Sequence, residues 1–285
     1  MKKLLFQLDT DTHPSVFDTV VGYDGGADHV IGHGNCHEDN VQSLVEGTIF
    51  TRAPKEKKNT AIFVGGSDMM AGEHLFKAVQ KYFFADFRVS IMLDSNGSNT
   101  TAAAAVAKII SHGPIKGKRA VILAGTGPVG QRAAYMLHHE GALVAITSRT
   151  QNKAEQVCKD LNHRFGIDVE PLLGDSFDSR AAAVKDAQIV LATGAAGAEL
   201  LKEEQWIDNP NIEIMADANA TPPLGIGGTD MLDRGTDRHG KIMWGAIGFG
   251  TLKLAVHRAC IEKLFENNNQ VFDAEEIFEL AKAMS

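Results

Sequence analysis

Short apolar runs recur along the chain, each followed by a glycine-rich or polar turn and then by a segment of helical periodicity. Strands are expected over residues 3–8, 29–31, 60–64, 88–93, 120–124, 142–147, 169–172, 189–192, 212–216 and 241–244. Helices are expected over 14–23, 40–45, 69–84, an alanine-rich stretch ending at Ile110, the segment after Gly130, 152–165, 180–185, 251–265 and 274–284. Pro14 suits an early helical position, and Gly25-Gly26 closes that helix. Residues 51–58 read as a polar connection. Strands alternating with helices in this way imply an α/β fold built on parallel or mostly parallel sheets.

The chain is organised around Ala120-Val-Ile-Leu-Ala-Gly125-Thr126-Gly127-Pro128-Val129-Gly130. A buried strand runs into a G-x-G-x-x-G turn that opens a helix, the fingerprint of a dinucleotide-binding βα unit. Gly125 permits the tight turn, Gly127 lets the backbone approach a pyrophosphate, and Gly130 lets helix and strand pack closely. The helix N-terminus offers free N–H groups and a positive dipole end to phosphate. The next strand ends in Ser148 and Arg149, with Lys153 close behind. An NAD-preferring site normally carries Asp or Glu there to hold the ribose 2′-hydroxyl. Two cations and a hydroxyl favour a 2′-phosphate, hence NADP. The loop from Thr193 through Gly194 and Ala195, and Asn219 in the loop after the following strand, lie where nicotinamide is expected.

Length and charge narrow the class. At 285 residues the chain has room for two domains. With 44% hydrophobic and 22% charged residues it reads as an ordinary globular protein. A net charge of −8 argues against nucleic acid as a partner, because that needs a basic face. Cys36, Cys158 and Cys260 are far apart and odd in number, which argues for a reducing compartment. No apolar run reaches membrane-spanning length, and residues 1–9 read as a first strand rather than a signal peptide. The expectation is a cytoplasmic protein.

Further stretches narrow it to a family. They are Asp9-Thr-Asp11, Pro14-Ser-Val-Phe-Asp18, Val21–Asp28, Thr60–Gly66, Met92–Thr101, Pro222–Gly228, Leu252-Lys253-Leu254, His257–Ile261 and Val271–Ile277. With Leu123–Gly130 they make the chain resemble, from end to end, the bacterial NADP-dependent methylene-tetrahydromethanopterin dehydrogenases of methylotrophs. The resemblance implies two α/β domains. One is a pterin-binding domain of residues 1–112 completed by the C-terminal helices of 252–285; the other is a Rossmann-type NADP domain of 113–251. It further implies substrate in an interdomain cleft and a homo-oligomer, a trimer in the family. The reaction it implies is hydride removal from the methylene carbon of methylene-tetrahydromethanopterin, leaving a methenyl cation and NADPH. Two flanking nitrogens delocalise that charge, so the step needs neither a proton acceptor nor a metal. Positioning then carries much of the catalysis, and a glycine-rich loop at 245–250 can accommodate domain closure.

Lys253 is the candidate catalytic residue, assigned to orienting the pterin, with His257 four residues on along the same helix face. Asp94, Asn96, Ser98, Asn99 and Thr100 offer amide, hydroxyl and carboxylate groups to a pterin edge, or equally form a helix-capping turn. Asp18, Tyr23, Gly25 and Gly26 form a second candidate wall, where Tyr23 either stacks on the pterin or belongs to the core. His29, His33, Cys36 and His37 match no standard zinc spacing and are read as loop residues. Arg52, Lys55, Lys57 and Lys58 read as a solvated charge run. Three other readings stay open: the same chemistry on methylene-tetrahydrofolate, carbonyl reduction of a small keto acid resembling shikimate dehydrogenase, and a non-catalytic NADP-sensing subunit.

Overall fold

The computed structural model describes residues 1–285. In chain order the elements are β1 (Leu4–Asp9), α1 (Val16–Asp24), β2 (His29–His33), α2 (Gln42–Phe50), β3 (Thr60–Gly65), α3 (Met69–Lys81), β4 (Ser90–Leu93) and α4 (Ser98–Ile110). They continue with β5 (Arg119–Leu123), α5 (Pro128–His139), β6 (Leu143–Ser148), α6 (Gln151–Phe165), β7 (Val169–Leu173), α7 (Phe177–Ala183), β8 (Ile189–Ala192) and β9 (Ile214–Asp217). Last come β10 (Arg234–Arg238), β11 (Lys241–Trp244), α8 (Ala246–Leu264), β12 (Val271–Phe272) and α9 (Ala274–Met284). The chain divides into two compact units, Met1–Thr100 with Lys253–Met284, and Thr101–Leu252. No helix is long and apolar enough to cross a membrane.

The first unit is built on a parallel sheet of order β12-β4-β3-β1-β2. Central β3 is buried at every residue, the signature of a strand covered on both faces. Its core gathers Leu8, Val41, Val45, Ile49, Ile62, Val64, Leu75, Val79, Ile91 and Leu93 from strands and helices alike. Because all strands run the same way, their C-terminal ends and following loops collect along one sheet edge.

The second unit carries a seven-stranded sheet of order β10-β11-β9-β8-β5-β6-β7. Every pairing is parallel except the β10–β11 hairpin. The chain leaves β5 for β6 on one side and returns to β8 on the other. That reversal is the topological switch point, beside which ligands bind in doubly wound sheets. Trp206, Ile212, Met215 and Ile226 seal one face of this sheet.

Several elements differ from the sequence reading for identifiable reasons. Pro14 stands outside α1; Ser15 is the cap instead, its Oγ accepting from the Asp18 amide. Helix α2 starts at Gln42 and runs to Phe50, and α3 ends at Lys81 rather than at residue 84. Helix α7 begins at Phe177 because Ser176 forms a capping box with Ser179. The β10 strand and the two-residue β12 were not foreseen, being too polar and too short to announce themselves. Residues 54–59 form a 3-10 helix, and Lys57 is not solvated: it is fully buried, with Nζ 3.7 Å from the Phe87 ring centroid and donating to the Asp86 carbonyl. The glycine-rich stretch 245–250 is no hinge loop, since α8 begins at Ala246. Gly245 and Gly248 serve close packing: a Cβ on Gly248 would stand 1.7 Å from the Asp233 carbonyl oxygen.

Candidate active site

Each unit has a pocket at the C-terminal ends of its parallel strands. In the first unit a pocket of about 420 Å³ is lined by Asp11, His13, Ser15, Phe17, Asp18, Gly66, Ser67, Asn96, Gly97 and Lys253. The loop that carries Asp11, His13 and Ser15 into it is anchored on buried Asp9 at the end of β1. One carboxylate oxygen of Asp9 accepts the Asp11 amide at 2.9 Å and the other the Ser15 amide at 3.1 Å, which folds the 10–15 loop back over the strand end. Asp11 in turn accepts from the Ser67 amide and hydroxyl. Gly66 has φ +114°, and a Cβ there would meet Thr10 Oγ1 at 1.9 Å, so only glycine fits this crossing.

Carboxylates crowd this pocket. A Cβ placed on Gly65 would lie 3.3 Å from Asp9 Oδ2 and 3.5 Å from Asp18 Oδ2, so both acids converge over β3's last residue. The Asp18 carboxyl is pushed up to about 7, first by burial and then by the negative charge of Asp94. Lys253 opposes that rise, and its Nζ lies 4.6 Å from the Phe17 ring centroid. Behind it, fully buried His257 stacks on Phe63 with ring centroids 5.4 Å apart. Its Nδ1 is 3.9 Å from Asp94 Oδ2, and neither ring nitrogen has a hydrogen-bond partner. Burial drives its pKa down to about 4, so the ring is neutral near pH 7.

The structure thus brings Asp18, Asn96 and Lys253 together in the pocket lining and leaves the other proposed pterin residues out of it. Asp94, Ser98, Asn99 and Thr100 are buried, and apart from the unpartnered Asn99 Oδ1 their polar groups bond inside the fold. Thr100 donates its amide at 3.0 Å and its hydroxyl at 2.6 Å to Asp94; Ser98 donates to Ser95 O and Asn99 to Leu93 O. They form the capping turn that starts α4. Only Asn96, held at φ +59° with its amide nitrogen donating to Ser67 O, faces the pocket. Tyr23 is 49% exposed, so it is no core residue, and it does not line the pocket. Gly25 lets α1 pack on α8: its Cβ would sit 2.5 Å from Ile261 Cβ. Gly26 has φ +93° and open space around it. Sequence reasoning missed Asp11, His13, Ser15, Phe17, Gly66 and Ser67. The available signal was their place just after the strands β1 and β3.

In the second unit a pocket of about 850 Å³ lies at the switch point. It contains Thr126, Gly127, Ser148, Arg149, Lys153, Thr193, Gly194 and Ala195 from the residues singled out above, together with Thr147, Arg180, Glu199 and Leu200. The three glycines divide the labour differently. A Cβ on Gly125 would clash with Ile146 at 2.9 Å, and one on Gly130 with the Gly125 backbone at 2.6 Å. A Cβ on Gly127 would meet nothing within 4 Å, which leaves open space beside the backbone. Helix α5 starts at Pro128 with no side-chain cap, so the first-turn amides of Val129 and Gly130 remain for a ligand. An uncapped helix start, a glycine facing open space and exposed Arg149 and Lys153 fit a dinucleotide with an extra phosphate. Asn219 stands apart: it is buried, its Nδ2 donates to Pro223 O at 3.0 Å and its Oδ1 accepts the Thr221 amide. His33 stacks on Phe6 and the buried Cys36 thiol donates to His33 O, while His29 and His37 are exposed.

A parallel sheet of Rossmann order, with this glycine turn at its switch point, defines a dinucleotide-dependent α/β protein. Across the whole of both chains it is similar to the shikimate 5-dehydrogenase of Thermus thermophilus solved with NADP(H) and shikimate, at TM-score 0.53 and 14% identity, a likeness of fold alone. Residues 16–96 match the family model described as methylene-tetrahydromethanopterin dehydrogenase, N-terminal. The "Bifunctional protein MdtA" of Methylorubrum extorquens is 58% identical over 100% of this chain and 99% of its own length. The "NAD(P)-dependent methylenetetrahydromethanopterin dehydrogenase" of the same organism is 30% identical over 93% of this chain and 92% of its own. The chain belongs to the methylene-tetrahydromethanopterin dehydrogenase family and is an oxidoreductase.

Proposed function

We propose that the protein oxidises methylene-tetrahydromethanopterin to methenyl-tetrahydromethanopterin with NADP, as a cytoplasmic homo-oligomer in one-carbon metabolism such as methanol utilisation. In this reading the pocket at Asp18 and Lys253 takes the reactive ring of the pterin, and the pocket at Gly127 and Arg149 takes the dinucleotide. NADP, when bound, supplies the hydride acceptor.

The observation that carries the reading is the charge of the first unit's pocket. Hydride loss turns a neutral methylene bridge into a methenyl cation, so the site must tolerate growing positive charge. Asp18 faces the pocket with Asp9 and Asp94 around it, and a preorganised negative field of this kind stabilises a developing cation. Lys253 would oppose that cation if it pointed at the ring. Laid against the Phe17 face, its ammonium is drawn to the aromatic quadrupole, leaving the side chain to orient a polar edge of the pterin. Asn96 and Ser67 supply amide and hydroxyl groups to the same edge.

The direct test measures NADPH formation with methylene-tetrahydromethanopterin and with methylene-tetrahydrofolate, each with NADP and with NAD. Fast turnover of the methanopterin substrate with NADP supports the proposal. Turnover of the folate alone would move the enzyme to the other carrier. No turnover of either would return the carbonyl-reducing and non-catalytic readings.

A further inference from the structure

We propose that Arg180 is the buried counter-charge for the 2′-phosphate of the dinucleotide and so a determinant of NADP over NAD. The inference rests on the second unit's pocket being the NADP site, and it goes beyond the exposed cations Arg149 and Lys153 that the sequence marks.

The side chain starts on α7, a helix not otherwise involved in the fingerprint, and crosses beneath two strand-end loops. Its Nε donates to the Leu200 carbonyl, after β8, and Nη1 donates to the Gly174 carbonyl at 3.0 Å, after β7. Gly174 makes the crossing possible: a Cβ there would lie 2.8 Å from Thr147 Cβ and 3.2 Å from Arg180 Cγ. The Gly174 amide donates to Ser148 O at 2.7 Å. The guanidinium is therefore held at the end of β6, where the adenosine ribose lies in this class of fold. The Phe177 ring lies 4.9 Å from it on one side.

Three further facts separate this arginine from a structural brace. It is 9% exposed, yet no carboxylate bonds to it; Asp175 is felt only through its charge. Burial correspondingly lowers its pKa, the mark of a cation that lacks a close counter-ion. A guanidinium has five N–H donors and two are used, so the Nη2 group stays free while the side chain lines the pocket. A buried cation without a partner is costly, and a phosphate dianion is a fitting complement for a planar fork. NAD, lacking the 2′-phosphate, would leave that cation unpaired.

The experiment compares binding of 2′,5′-ADP and 5′-ADP to the full-length protein and to Arg180→Gln and Arg180→Lys variants. In Arg180→Gln, affinity for 2′,5′-ADP should fall roughly 10- to 100-fold, as expected for a charge-assisted bond, while 5′-ADP changes little. The KM for NADP should rise in parallel at nearly constant kcat. Arg180→Lys keeps a charge but not the two-carbonyl fork, and it should retain preference for 2′,5′-ADP. Equal losses for both nucleotides in Arg180→Lys would make Arg180 a loop brace and overturn the proposal, as would unchanged selectivity in Arg180→Gln. If the unaltered protein bound neither nucleotide, the cofactor reading itself would fall, a result distinct from either.

Discussion

The two pockets sit at equivalent places in two parallel sheets, yet their charges are opposite. The first unit's pocket holds Asp11 and Asp18 against Lys253, with Asp9 and Asp94 behind; the second holds Arg149, Lys153 and Arg180 against Glu199. In the proposed function, a chain of net charge −8 concentrates cations where the phosphates would bind and acids where the methenyl cation would form. On that reading the same architecture, strand ends opening into loops, would serve ground-state recognition of an anion in one unit and stabilisation of a nascent cation in the other. Fold supplies the place; the side chains entering from neighbouring loops supply the sign.

The largest expected effect breaks the first half of that contrast. Asp18→Asn should lower kcat about 100-fold by removing the negative field, with NADP affinity unchanged. In the unaltered enzyme kcat should rise with pH through an apparent pKa of about 7, as Asp18 ionises, and that rise should vanish in the variant. Lys253→Ala should also lose much activity while folding and binding NADP, and near-normal turnover would remove it from the site.

A smaller effect sharpens the second half. Gly130→Ala forces a Cβ to within 2.6 Å of the Gly125 backbone and should cost about 1–3 kcal/mol in chemical denaturation. Gly127→Ala meets no protein atom within 4 Å, so it should leave stability unchanged and raise the KM for NADP about tenfold. Equal stability losses in the two variants would show that Gly127 packs rather than faces ligand.

The smallest effect is on stability as a function of pH. Asp18 holds its proton up to about pH 7 when folded, against 3.8 unperturbed, so folded protein binds the extra proton between those values and stability falls as pH rises through that window. His257 acts oppositely: its pKa of about 4 when folded, against 6.5, makes stability rise with pH from about 4 to 6.5. The two partly cancel below pH 6.5, leaving the Asp18 cost visible above it. Asp18→Asn should therefore gain on the parent by about 2 °C in Tm at about pH 8 and by less at about pH 5. An equal gain at both pH values would place Asp18 in a less buried setting than this.

Much of the architecture could be read locally. Apolar runs located the strands of the second sheet other than β10 within a residue or two, and the glycine fingerprint located its switch point. The cationic end of β6 was equally visible, because one strand and its turn carry that message by themselves. The turn Asp94–Asn99 was harder. Ser, Asn and Thr in a helix start can cap or can bind ligand, and only the inward rotation of Asp94 and Thr100 decides between them. Arg180 escaped notice because its role comes from Gly174 and Leu200, which are brought to it by two different strands.

The sequence by itself determined the alternation of strands and helices, the dinucleotide turn and the cationic end of β6, since periodicity and turn chemistry act over a few neighbouring residues. The tertiary structure alone decided that Asp18 from α1 meets Lys253 from α8, that His257 is sealed behind Phe63, and that Arg180 reaches the end of β6. Those meetings depend on strand register and helix packing, which bring distant segments within a few ångströms and set which way each side chain points.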